Sequence, residues 1–130
     1  MKRTLTALTL ALTTAFAVPA MAGGTITFGF NAKNQDEANA IRAGLAIYSL
    51  VKDIDTNGHI TQNGINNAAG IAQGGKNNKG IIHQDGKNHD GTITQNGNNN
   101  ACGLFQFGNG ATGHVNQNGG EACLIFQAGF

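Results

Sequence analysis

The chain has 130 residues, 20 of them glycine, with 6% aromatic and 12% charged residues, no tryptophan and a formal net charge of +1. So few large apolar side chains cannot build a conventional globular core, and near-neutrality lacks the basic excess of a nucleic-acid or anionic-membrane binder. Composition alone suggests a disordered Gly/Asn/Gln-rich polymer; the order of the residues argues otherwise.

Residues 1–22 read as an export signal peptide. Lys2 and Arg3 form a positive start, Leu5 to Val18 is an apolar stretch broken only by threonines, and Ala20-Met21-Ala22 supplies the small-x-small pattern of a cleavage site. The apolar run is too short to span a bilayer comfortably, so no stable membrane insertion is expected. Cleavage after Ala22 would remove two cations and leave a chain from Gly23 with a net charge near −1.

Residues 23–55 form a non-repeat segment. Thr25-Ile26-Thr27-Phe28-Gly29-Phe30 alternates like a strand, with Ile26, Phe28 and Phe30 on one face. Asp36 to Val51 reads as an amphipathic helix, with acids in its first turn and Ile41, Leu45 and Tyr48 at helical spacing. This segment is expected to cap or buttress the remainder of the chain; an export or partner-recognition element is the alternative.

Residues 56–130 are a repeat. Gln62, Gln73, Gln84, Gln95, Gln106 and Gln117 recur every 11 residues, and Gln127 comes one residue early. Two positions before each comes an aliphatic residue: Ile60, Ile71, Ile82, Ile93, Leu104, Val115 and Ile125. Two positions after come Gly64, Gly75, Gly86, Gly97, Gly108, Gly119 and Gly129, and four before come Gly58, Ala69, Gly80, Gly91, Cys102, Gly113 and Cys123. Offsets of −4, −2 and 0 are the period of a strand face. An 11-residue helical repeat is the competitor, but glycines and an Asn-rich stretch in each unit suit turns rather than helix interiors.

Strand-turn units of constant length that cannot bury a face alone must stack. The expected fold is all-β: a β-solenoid of stacked 11-residue units, 22 residues per coil and two parallel sheets, preceded by the short strand and the amphipathic helix. Its inward columns are aliphatic, Gln, small, and a partial Asn column at Asn67, Asn78 and Asn100. Stacked amides donate to one neighbour and accept from the next, so a buried polar ladder satisfies itself. The last unit, Cys123 to Phe130, carries no polar cap, and its edge is expected to be an open template for another chain, giving a non-closing head-to-tail contact and hence a fibre.

Units such as Gln62-x-Gly-x-x-Asn67-x-Ala69-x-Ile71-x-Gln73 closely resemble the curlin repeat, over about residues 56–130. The resemblance implies secretion through the outer membrane, via the periplasm, and self-assembly into an extracellular, cell-surface amyloid fibre serving adhesion and biofilm matrix. It also implies a curli-type nucleator and an outer-membrane secretion machinery as partners, and a templating role for the matching Gln and Asn positions. His89 and Ala111 depart from the Asn column, Gly110 and Glu121 alter two turns, and the Gly-rich targeting segment of that family is replaced by residues 23–55.

Among the remaining signals, Cys102 and Cys123 share a column in consecutive coils, which suits either a disulfide or two stacked thiols. One sheet turns Ile81, Phe105, Phe107, Leu124 and Phe126 outward, an apolar strip expected to receive the helix or a neighbouring fibril. Lys76, Lys79, Asp85, Lys87, His89 and Asp90 concentrate charge in the middle units, as gatekeepers or as solvated turns. The four histidines fall on different columns, no nucleophile-base arrangement or phosphate loop stands out, and no catalytic residue, metal or cofactor is assigned. The expected role is a structural fibre subunit, not an enzyme and with no need of nucleic acid; the alternatives are a monomeric secreted solenoid that binds a surface or glycan, or a minor nucleator subunit.

Overall fold

The computed structural model describes residues 24–54 and 56–130; the proposed signal peptide, residues 1–22, lies outside the described residues. The chain forms β1 (Thr25–Asn31), α1 (Gln35–Val51), and then seven strands: β2 (Gly58–Ile65), β3 (Ala68–Gly74), β4 (Lys79–Lys87), β5 (Asp90–Asn96), β6 (Ala101–Asn109), β7 (Thr112–Gln117) and β8 (Ala122–Gly129). Successive repeat strands go alternately to two sheets, one ordered β1-β8-β6-β4-β2 and the other β3-β5-β7. All repeat strands pair in parallel, Gly58 on Gly80, Ile60 on Ile82 and Gln62 on Gln84, then Gly80 on Cys102, Ile82 on Leu104 and Gln84 on Gln106. This is the all-β solenoid that an 11-residue period requires.

The turns explain the constant length. Asn66, Asn77, Asn88 and Asn99 all adopt left-handed φ near 60°, a conformation asparagine tolerates because its short amide bonds locally. In the two altered turns Gly110 and Gly120 take the left-handed position, at φ 77° and 64°. The glycine after each Gln is held for a second reason: at Gly86 (φ 130°) an added Cβ would strike the Gly108 carbonyl oxygen of the next coil. Consecutive coils therefore touch backbone to backbone at this corner, and only glycine fits.

Two apolar clusters result. Inside the coil, Ile82, Ile93, Cys102, Leu104, Val115 and Cys123 pack together, flanked by Ala69, Ile71 and Ile125. Outside, Ala38, Ile41 and Leu45 of α1 pack on Ile81, Ala101, Phe105 and Ala122 of the larger sheet, with Phe30, Tyr48 and Leu124 at the margin. Leu45 lies against Gly103, a position where any Cβ would collide with its side chain. Of the outward apolar residues, Ile81 and Phe105 are thus covered, while Phe107 and Phe126 stay 41% and 43% exposed.

The helix is capped at its N-terminus and tied to the coil near its middle. Asn34 caps it by accepting the Glu37 N–H at 2.9 Å, and the Glu37 carboxylate accepts the Lys33 N–H at 2.8 Å, a reciprocal cap. Arg42 donates to the turn carbonyls of Asn99 at 2.7 Å and Gly120 at 3.3 Å. Replacing Leu45 by Ala opens a hole between helix and sheet, and we expect a loss of about 2–5 kcal/mol. Denaturant unfolding of the monomer, followed by the helical circular dichroism signal, measures it.

At the solenoid's last strand the structure corrects the expectation from sequence. The edge of β8 is not an open template: β1 lies antiparallel along its whole length, Thr25 opposite Gly129, Phe28 opposite Phe126 and Asn31 opposite Cys123. The physical reason is that β1 sets Ile26, Phe28 and Phe30, all half-buried, beside Ala128, Phe126 and Leu124 on the outer face of the sheet, while its backbone satisfies the edge.

Candidate assembly interface

The columns that the sequence singles out are hydrogen-bonded chains running along the solenoid axis. In the larger sheet Gln62 Nε2 donates to Gln84 Oε1 at 2.9 Å, Gln84 to Gln106 at 2.7 Å and Gln106 to Gln127 at 2.7 Å. In the smaller sheet Gln73 donates to Gln95, and Gln95 to Gln117, both at 2.8 Å. The second amide hydrogen crosses to the opposite sheet: Gln84 to the Ala68 carbonyl, Gln95 to Lys79, Gln106 to Asp90, Gln117 to Ala101 and Gln127 to Thr112. Each interior Gln therefore stitches its own sheet along the axis and the two sheets across it. Gln84, Gln95 and Gln106 are completely buried, and no buried side-chain polar atom among the described residues lacks a partner.

The Asn column works at the corners. Asn78 Nδ2 donates to the carbonyls of Gly74 at 3.1 Å and Gly97 at 3.0 Å, and its Oδ1 accepts the Asn100 N–H at 3.0 Å. Asn67 does the same with Asn63, Gly86 and the His89 N–H. Asn100 donates to Asn96 and accepts from Gly119 and Glu121 in the shortened turn.

His89, which the sequence placed both in the inward Asn column and among the charges of the middle units, is buried in this column at 1% exposure. Its Nδ1 accepts the Ala111 N–H at 3.1 Å, so the ring proton sits on Nε2 and donates to the Asp85 carbonyl at 3.2 Å. Donor and acceptor thus occupy the places of an Asn amide, and the histidine continues the ladder as a neutral ring. We expect His89→Asn to preserve stability. His89→Leu, which orphans the buried Ala111 N–H, should cost about 1–3 kcal/mol; urea unfolding of the pair separates the two.

Cys102 and Cys123 are joined as a disulfide, their Cα atoms 4.6 Å apart on adjacent strands. On the outer face, His83 lies between the Phe105 and Phe107 rings, with the Tyr48 hydroxyl 3.5 Å from its Nδ1. Desolvation there holds His83 below its usual pKa of 6.5, reinforced by the Lys52 charge and opposed by Asp85; burial likewise raises Tyr48. A histidine depressed in the folded state stabilises it above the unfolded pKa and loses that contribution as pH falls through the lower folded value. We expect monomer stability to decline below pH 6.5, and His83→Gln to flatten that decline in unfolding curves taken across pH 5–8.

The two ends of the ladders differ. At the β2/β3 end the Oε1 atoms of Gln62 and Gln73 accept no hydrogen bond from the described residues, and Ile60 is 38% exposed where Ile82 and Leu104 are fully buried. At the other end Gln117 donates only to Ala101, one bond fewer than Gln95 makes. Gln127, by contrast, donates to the Thr27 hydroxyl of β1 at 3.2 Å, which stands where the next Gln would be. The capping role of Thr27 had no signal in the sequence, since its face of β1 looked merely polar. Among the described residues no cluster of His, Cys, Asp or Glu could hold a metal ion, and no helix is long and apolar enough to cross a membrane.

Residues 75–102 match the family model of the curlin associated repeat. The matched stretch contains β4, β5, their turns and the start of β6, the part of the solenoid with the most complete ladders, and it supports the resemblance to the curlin family. No curated protein and no solved structure matches the chain.

Proposed function

We propose that the protein is a secreted subunit of a curli-like amyloid fibre, exported by its signal peptide through the periplasm and outer membrane, and that it grows by axial stacking of solenoids. Adhesion and a biofilm matrix are the uses such a fibre would serve, with a nucleator subunit and a secretion machinery as partners. The observation that carries this reading is the polarity of the glutamine ladders. Unmatched acceptors at Gln62 and Gln73 face one way along the axis, and an underused donor at Gln117 faces the other. Such ends are complementary to each other and not to themselves, so copies add head to tail and the contact does not close. Ile60, 38% exposed at one end, and Ile125, partly buried at the other, supply the apolar part of the same contact.

A second reading draws on the β1–β8 pairing. A solenoid with one sheet edge covered has part of what a soluble repeat protein needs, which favours a monomer that binds a surface or glycan, or a minor nucleator subunit.

Refolding the chain from Gly23 onward out of denaturant, with Thioflavin T fluorescence and fibre diffraction, separates them. Growth after a lag into fibres with reflections near ~4.7 Å and ~10 Å is the expected result. Gln62→Leu with Gln73→Leu removes both terminal acceptors and should slow seeded elongation at least about tenfold, for the loss of two amide bonds of about 1 kcal/mol each. A monomer that stays soluble even with preformed seeds would favour the surface-binding reading.

A further inference from the structure

β1 is built onto β8 differently from every other strand in its sheet. It runs antiparallel where all the other pairs are parallel. Its inward-facing residues do not continue the columns: Gly29 stands opposite Ile125 and Thr27 opposite Gln127, and both are exposed, as are Thr25 and Asn31. An added Cβ at Gly29 would meet nothing within 4 Å, so the space next to Ile125 is unfilled. What holds β1 is its backbone ladder, the outer contacts of Ile26, Phe28 and Phe30, and the single bond from Gln127 to the Thr27 hydroxyl.

A strand of a second copy would fit this edge better. Continuing the alternation of sheets beyond β8 places β2 of that copy on β7 and β3 on β8. Ile60 then covers Val115 and Gln62 receives the spare Gln117 hydrogen; Ile71 covers Ile125 and Gln73 replaces the Thr27 hydroxyl as acceptor for Gln127. The edge of β7 is unpaired among the described strands and can take β2 at once, whereas that of β8 is occupied.

We propose that the β8 edge is a docking site for β3 of a second copy, and that β1 is its intramolecular placeholder, displaced when the copy adds. Only residues 32–34 separate β1 from α1, and α1 is held independently through Leu45 and Arg42, so β1 can leave without unfolding the buttress. The tether gives β1 a local concentration of order mM, against which an incoming strand competes by filling the inward columns. Assembly thereby acquires a concentration threshold. Displacement of β1 in this way rests on the chain being a fibre subunit.

A reversible lock tests it. Phe28 and Phe126 are register partners on the outer face, the face opposite the inward Cys102–Cys123 bridge. Their Cα separation in a hydrogen-bonded antiparallel pair, about 5.5 Å, suits a disulfide. In the Phe28→Cys/Phe126→Cys variant the reduced form should elongate seeds, as should wild type under the same reductant. The oxidised form should form no fibres alone and, added in substoichiometric amounts, should halt growth of wild-type seeds by blocking the end it joins. Equal elongation by oxidised and reduced forms would overturn the displacement of β1. So would intermolecular cross-links on oxidising preformed fibres, because β1 would then be exchanged between copies rather than freed. If wild type itself never elongates, seeded or not, the fibre reading falls and this inference with it; growth of wild type with an indifferent lock removes only the inference.

Discussion

The structure depends on the side-chain amide that is fully buried and fully bonded. A glutamine taken out of water without partners would cost several kcal/mol, and this coil buries Gln84, Gln95 and Gln106 completely. The cost is met because each amide has two donors and an acceptor, and stacking supplies a like amide above, a like amide below and a carbonyl opposite. Such bonding is possible only if identical residues recur at an unvarying interval, so the 11-residue period comes from the hydrogen-bond inventory as much as from the backbone. It also explains how a chain with so few large apolar residues holds together: the apolar columns are one residue wide, and the polar ones beside them are satisfied rather than tolerated.

The same requirement concentrates vulnerability at the ends. A ladder of like groups is satisfied everywhere except at its first and last members, and the two sheets end differently. The smaller sheet leaves the edge of β7 unpaired among the described strands, while the larger one is closed by β1 with a hydroxyl in place of an amide. A hydroxyl accepts the bond but does not repeat the column. The protein thus combines a covered edge with a cover that does not repeat the columns of the strands it closes.

The coil itself was legible because its constraint is written as residue type at fixed spacing. Ile82, Gln84 and Gly86 announce a strand and its turn, and the repeats before and after announce the register. The helix and the apolar strip were legible as faces needing a partner, with the helix one of two candidates for the strip, and Leu45 over Gly103 is how they meet. The β1–β8 pair was not legible. Thr27 and Gln127 are 100 residues apart, antiparallel pairing leaves no shared periodicity, and an alternating strand advertises only that it wants an edge. His89 stood in the right column yet also looked like a surface charge; its two ring nitrogens matching one Asn amide became visible only with Asp85 and Ala111 around them.

The disulfide also sets how the coil bears load. Cys102 and Cys123 are neighbours along the axis, and their sequence separation of 21 is one circuit of the solenoid. Pulled along that axis, a stack joined by hydrogen bonds yields by peeling one circuit from the next. The bridge makes this circuit a closed loop, so tension passes across it through a covalent bond and the chain it encloses is never drawn out. Whatever length the surrounding coils give up under strain, this one keeps its own.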